Sequence, residues 1–261
     1  LFELPTKELC RKTNLRTGTA LRAGGKSMIK AFVINGSPRM EKGNTALILT
    51  PFLEGMKDAG ANTELVYAKR LKINPCIGDF QCWFEKVGKC IHKDDMQTIY
   101  PKLRMANILV LATPVYIPLP GEMQNFINRL CPILEPFLRF TNGRTRGRLH
   151  NDVKLTQFVL VSSSGWWELE NFSTVIRIVE ELALDANIQF GGAVLRPHAS
   201  ELRNYPEKAA AVLTAARQAG YQLVKEGKMD EETLRVISQP LVPEPKLRKQ
   251  YNEMYLEARE G

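Results

Sequence analysis

Two groups of residues have the types and spacing to do chemistry. The first is Ser37, Arg39, Asn44 and Thr45, gathered in the stretch Asn35-Gly-Ser-Pro-Arg-Met-Glu-Lys-Gly-Asn-Thr45. Short hydroxyl and amide donors beside a guanidinium suit an anion, and phosphate above all. The second is Cys76, Cys82 and Cys90, in the pattern Cys-x5-Cys-x7-Cys with Asp79 between the first two. Thiolates at such spacing can hold zinc or an iron–sulfur cluster. A closed site needs four ligands, and only Asp79, His92 or Asp94 could complete this set.

The elements around the first group make it a site. Residues 29–34 are apolar apart from Lys30 and include the β-branched Val33 and Ile34, as in a central parallel strand. Gly36 and Pro38 break that strand. Asn44-Thr45 then reads as the cap of a helix running through Ala46, Leu47, Ile48 and Leu49 towards Met56. Unpaired amides and the positive end of the helix dipole converge where such a loop meets such a helix. The loop lacks the Gly-Lys-Ser/Thr ending of a Walker A motif and the three glycines of a dinucleotide fingerprint. A Ser-containing, Gly-poor loop suits one terminal phosphate better than a pyrophosphate.

The strand–helix alternation repeats. Strands are expected at 62–68, 107–112, 154–161 and 189–195, with helices between them. This predicts an α/β three-layer sandwich around a five-stranded parallel sheet. Ligands of such sheets sit at the carboxyl ends of the strands. Two further loops fall there. Thr113-Pro-Val-Tyr-Ile-Pro-Leu-Pro-Gly121 is a rigid apolar wall for a flat ring, and Ser162-Ser-Ser-Gly-Trp-Trp167 lets backbone approach a ligand closely. Gly191-Gly192 marks a bulge or a close approach. His198 reads as a polar surface or capping residue. Residues 132–153, with Arg144, Arg146 and Arg148, read as a solvated basic loop, with a lid that attracts the phosphates of a co-substrate as the alternative.

Bulk properties narrow the partners. The 261 residues carry 36 Lys or Arg against 28 Asp or Glu, a formal net charge of +8. Half of that excess lies in residues 1–27, where six basic residues face Glu3 and Glu8. The charge therefore does not argue for nucleic acid, and no apolar run is long enough for a bilayer. Five cysteines and no secretory signal fit a reducing, cytoplasmic setting. The expected organisation is a basic, disordered or non-native leader at 1–27, a ligand-binding domain at 28–238 and a helical tail at 239–261.

Asn35-Gly-Ser-Pro-Arg39 followed by Gly43-Asn-Thr45 resembles the flavodoxin-like NAD(P)H-dependent FMN reductases, a family that includes the iron–sulfur flavoproteins. The resemblance extends over roughly residues 28–200 and implies the strand order 2-1-3-4-5. It also implies FMN as cofactor and NAD(P)H as co-substrate. Ser37, Arg39, Asn44 and Thr45 would then hold the FMN phosphate, and Pro114, Val115, Tyr116 and Ile117 would line the isoalloxazine. Ser162, Ser163 and Gly165 are the further cofactor-binding candidates. The flavin carries the chemistry, so no catalytic side chain is assigned. The acceptor would be a quinone, a flavin, a nitro compound or an electron carrier, and the assembly a homodimer or homotetramer. The family's cluster-bearing members have a compact four-cysteine pattern, against which this chain sets Cys76, Asp79, Cys82 and Cys90. Carboxylate is a poor ligand for such a cluster, so no metal is expected. An FMN electron carrier without direct NAD(P)H use and a non-enzymatic sensor are the competing expectations.

Overall fold

The computed structural model describes residues 28–141 and 143–260. The expected leader at 1–27 lies outside them. The strands are β1 (Lys30–Asn35), β2 (Asn62–Tyr67), β3 (Ile108–Pro114), β4 (Leu134–Thr141), β5 (Arg144–Leu149), β6 (Gln157–Ser163) and β7 (Gln189–Arg196). The helices are α1 (Asn44–Asp58), α2 (Gln81–Phe84), α3 (Met96–Met105), α4 (Gly121–Asn128), α5 (Ser173–Ala186), α6 (Glu201–Asn204), α7 (Pro206–Glu226), α8 (Glu231–Ser238) and α9 (Glu244–Glu260).

Five strands form one parallel sheet in the order β2-β1-β3-β6-β7. Without the inserted β4–β5 hairpin, this is the expected order 2-1-3-4-5. The inner strands β3 and β6 are buried on both faces, which explains their unbroken apolar runs. One core layer packs α1, α7 and α8 on one face through Ile48, Phe52, Met56, Val212 and Leu223. The other packs α3, α4 and α5 through Ile99, Leu103, Phe126, Val175 and Val179. The Gly191-Gly192 pair does mark a bulge: the β6–β7 register shifts between Phe158 and Leu160, and Gly192 has a φ of +101°.

Two local expectations need correction. Residues 132–153 do not form a solvated loop. They contain an antiparallel hairpin, β4 paired with β5. Arg144, Arg146 and Arg148 recur at a spacing of two, which is a strand period that their charge concealed. The charge is largely matched: Glu181 accepts from Arg144 at 2.7 Å and from Arg146 at 2.8 Å, and Glu135 accepts from Arg148. The second correction concerns α1. Its N-cap is Gly43, with no side-chain cap, and Asn44 and Thr45 are its first helical residues. Their side chains are therefore left for other partners.

Candidate functional site

The loop between β1 and α1 folds back over the start of the helix. The Asn35 side chain lies beneath it, with Oδ1 accepting the Ser37 amide at 2.9 Å. Asn35 is fully buried, and its Nδ2 has no hydrogen-bond partner. A buried amide donor without an acceptor costs about 1–3 kcal/mol, so its persistence marks a place for one. Ser37 is buried against Gly43: a Cβ built on Gly43 would lie 2.4 Å from Ser37 Oγ. Glycine is thus required for the serine hydroxyl to sit at the helix entrance. Thr45 is buried and its Oγ1 shares a 2.7 Å hydrogen bond with Ser163 Oγ, which joins the end of β6 to the first turn of α1. Arg39 is exposed at the rim.

The two expected ring-wall loops lie side by side, because β3 and β6 are neighbours with Pro114 opposite Ser163. Val115 N donates to Ser163 O at 2.8 Å and ties them together. Pro114 and Val115 are half-buried, whereas Tyr116 is 66%, Ile117 90% and Trp166 67% exposed. Large apolar side chains this exposed, grouped at strand ends, are characteristic of a surface that receives a ligand or a partner. Gly165 is exposed beside them. Ser162 differs from its neighbours. It is fully buried and its hydroxyl donates to Thr113 O at 2.8 Å, so it braces the strand ends.

The 162–167 loop is braced from below by the end of β7. Ser164 N donates to Arg196 O at 3.0 Å, His198 N to Trp166 O at 2.8 Å and Ala199 N to Ser164 O at 2.9 Å. Arg196 is fully buried and donates to the carbonyls of Ile237 and Gln239 at 2.6 and 2.9 Å. Its Nη2 lies 3.1 Å from His198 Nε2. His198 is fully buried, has a φ of +36°, and stacks on Trp167 with ring centroids 4.8 Å apart. It is therefore a brace within the fold, not the surface residue expected from its position. Burial, helped by the Arg196 charge, pulls its pKa down from 6.5 to about 4. The folded state thus holds it neutral. Its contribution to stability is complete above pH 6.5 and is lost as pH falls towards 4. Melting temperatures across that window should fall more steeply for the native chain than for His198→Asn, since asparagine tolerates the same backbone.

The cysteine segment packs beside Cys131, which lies outside the motif. Cys82 is buried on α2, and Trp83 Nε1 donates to Cys131 O at 2.9 Å, bringing a fourth cysteine alongside the three in the motif. Nothing in the linear spacing announced Cys131. Burial first, then the neighbouring thiols of Cys131, Cys90 and Cys76, pushes the Cys82 thiol up to about 11. Among the described residues, no group of three or more His, Cys, Asp or Glu stands close enough to hold a metal ion. With Asp79 at the second motif position, the motif offers three thiols and a carboxylate, a poor donor set for an iron–sulfur cluster. Within the segment only Cys82 is buried, and Cys76 is exposed. Asp94 at its end forms a buried bidentate pair with Arg129, at 2.6 and 3.1 Å.

A parallel sheet in the order β2-β1-β3-β6-β7 with helices on both faces defines the flavodoxin-like class of α/β fold. Residues 29–152 match the sequence model of the NADPH-dependent FMN reductase family. An iron–sulfur flavoprotein of Methanocaldococcus jannaschii is 34% identical over 117 residues, 44% of this chain and 58% of that protein. A second from the same organism is 38% identical over 106 residues, covering 40% and 53%. The match therefore spans little more than half the length of these relatives. Among solved structures, an azoreductase from Bacillus anthracis superposes with a TM-score of 0.52 at 14% identity, covering 76% of this chain and all of that one. An NAD(P)H:quinone oxidoreductase from Methanothermobacter marburgensis gives 0.50 at 14%, covering 76% and 98%. At such identities the likeness is one of fold. Among the described residues, no helix is long and apolar enough to cross a membrane.

Proposed function

We propose that the chain is an FMN-dependent oxidoreductase that takes hydride from NAD(P)H and passes electrons to a quinone, a flavin, a nitro compound or an electron carrier. The observation that carries this reading is the loop at 37–45 at the start of α1, with the unpartnered Asn35 amide beneath it, beside the exposed Tyr116, Ile117 and Trp166 at the neighbouring strand ends. Ser37, Arg39, Asn44 and Thr45 would hold the phosphate, and Ser163 would fix Thr45 in place. Pro114, Val115, Tyr116, Ile117 and Gly165 would line the ring. FMN bound there supplies hydride and electron transfer, so the protein's tasks are binding, orientation and exclusion of water. Prolines at 114 and 118 remove amide donors from the slot and leave it rigid. The exposed Tyr116, Ile117 and Trp166 leave one side of the slot open for the donor and acceptor, or for a second subunit of a homodimer or homotetramer. A cytoplasmic setting belongs to the same reading.

The test is an anaerobic absorption spectrum of the purified protein after addition of FMN, then NADPH, then NADH. Bound flavin bands that bleach with either nucleotide are expected. A protein that takes up no FMN would overturn the reading, and bound flavin that neither nucleotide bleaches would favour a carrier. Arg39→Ala should weaken FMN binding by about 1.5–3 kcal/mol through loss of a charge-assisted phosphate contact. Unchanged affinity in a fluorescence titration would remove Arg39 from the site.

A further inference from the structure

Arg203 reaches the phosphate loop from far along the chain. It lies on α6, just beyond the end of β7, where Arg203 N donates to Ser200 O at 3.0 Å. The adjacent Leu202 is buried in the same core layer as Ile48 and Leu49 of α1, and α6 leads directly into α7, which packs on α1. From there the guanidinium donates to Asn44 Oδ1 through Nη1 and to Lys42 O through Nη2, the latter at 3.0 Å. A guanidinium only donates, so the oxygen of the Asn44 side chain faces it and the Asn44 amide nitrogen is turned away. Among the described residues, Arg203 has no carboxylate partner, whereas Glu41 in the same loop pairs with Arg70 at 2.6 Å.

This arrangement gathers positive charge at the entrance to α1. A cation beside the N-terminus of a 15-residue helix meets the positive end of its dipole. Arg39 and Lys42 add like charge, and the buried Asn35 Nδ2 beneath the loop lacks an acceptor. A dianion at the helix entrance would offset this positive charge.

We propose that Arg203 is a positioning residue of the phosphate site: it holds residues 42–44 in shape and supplies the charge that selects a terminal phosphate over a hydroxyl. The proposal rests on the FMN reading above and deepens it. Because riboflavin is FMN without the phosphate, the pair separates charge recognition from loop integrity.

The experiment is a fluorescence titration of FMN and of riboflavin into the native chain, Arg203→Ala and Arg203→Lys, at low and high salt. Arg203→Ala should raise the Kd for FMN about tenfold, flatten its salt dependence, and change that for riboflavin less than about twofold. Arg203→Lys should recover part of the FMN affinity, since it restores charge without the two-pronged grip. Unchanged FMN binding in Arg203→Ala would overturn the proposal. So would an equal loss for both flavins, which would make Arg203 a merely structural brace. If the native chain takes neither flavin, the FMN reading fails by itself. The phosphate site is then judged by melting temperature in inorganic phosphate: a rise in the native chain that Arg203→Ala abolishes supports it, and no rise overturns it.

Discussion

Arg129→Met is expected to lower the unfolding free energy by about 3–5 kcal/mol, the usual cost of removing one partner from a buried ion pair. The Arg129 and Asp94 side chains are 1% and 3% exposed. Asp94 Oδ2 also accepts the Asn74 amide at 2.9 Å, and Arg129 Nη1 donates to Asn74 O at 2.7 Å. The pair therefore pins both ends of the cysteine segment to the end of α4, directly after the loop that carries Tyr116. Methionine fills the volume but leaves the carboxylate buried without its cation. Arg129→Lys should rescue little, because a single ammonium cannot match the two parallel bonds. The double variant Arg129→Met with Asp94→Leu should recover part of the loss, since it removes the stranded charge. Urea unfolding midpoints of the three variants test this, and a loss below about 1 kcal/mol in Arg129→Met would refute it. The pH dependence follows from the same contact. Burial alone would raise the Asp94 carboxyl, but the Arg129 guanidinium and the amides of Asn74 and Met96 hold it below the usual carboxylate range. The stability of the pair is thus present above the ordinary carboxylate pKa and is lost as pH falls through the lowered one.

Gly55→Ala and Gly220→Ala should each cost about 3 kcal/mol or more, at or beyond the top of the usual range for overpacking. The two glycines lie where α1 and α7 cross. A Cβ on Gly55 would stand 1.8 Å from Arg217 O, and one on Gly220 would stand 1.9 Å from Phe52 O. Both obstacles are helix backbone, so no rotamer change relieves the clash and the helices must separate. Alanine is otherwise the better helix former by about 1 kcal/mol, so any net loss understates the collision. Because α1 carries Asn44 and Thr45 at its other end, the same variants should also weaken FMN binding. Gly121→Ala is the matched control, since nothing lies within 4 Å of its Cβ position. It should change the melting temperature little. Equal behaviour of all three variants would refute the crossing argument.

How much of this was readable beforehand depended on the range of the interactions involved. The parallel sheet followed from apolar runs of strand length at 29–34, 107–112 and 154–161, because double-sided burial demands such runs, whereas its order came only from the family resemblance. The hairpin did not, because Arg144, Arg146 and Arg148 alternate with residues too polar for an apolar-based reading. Their strand is held by Glu135 and Glu181, and ionic partners on other elements leave no period. His198 looked like a surface residue because nothing local predicts that Trp167 and Arg196 would enclose it.

The sequence by itself determined the α/β class, the strand–loop–helix junction at Ser37, Arg39, Asn44 and Thr45, and the apolar loop at 114–117. Each rests on neighbours in the chain: strand-length apolar runs, a glycine and a proline that break them, and a helix that must start somewhere. Only the tertiary structure decided that Ser163 braces Thr45 and Ser162 braces the strand ends. It alone brought Arg203 to Asn44, Cys131 to the Cys82 helix, and Arg129 to Asp94. Those pairings are made by strand order and helix crossings, which bring together residues whose separation along the chain carries no signal.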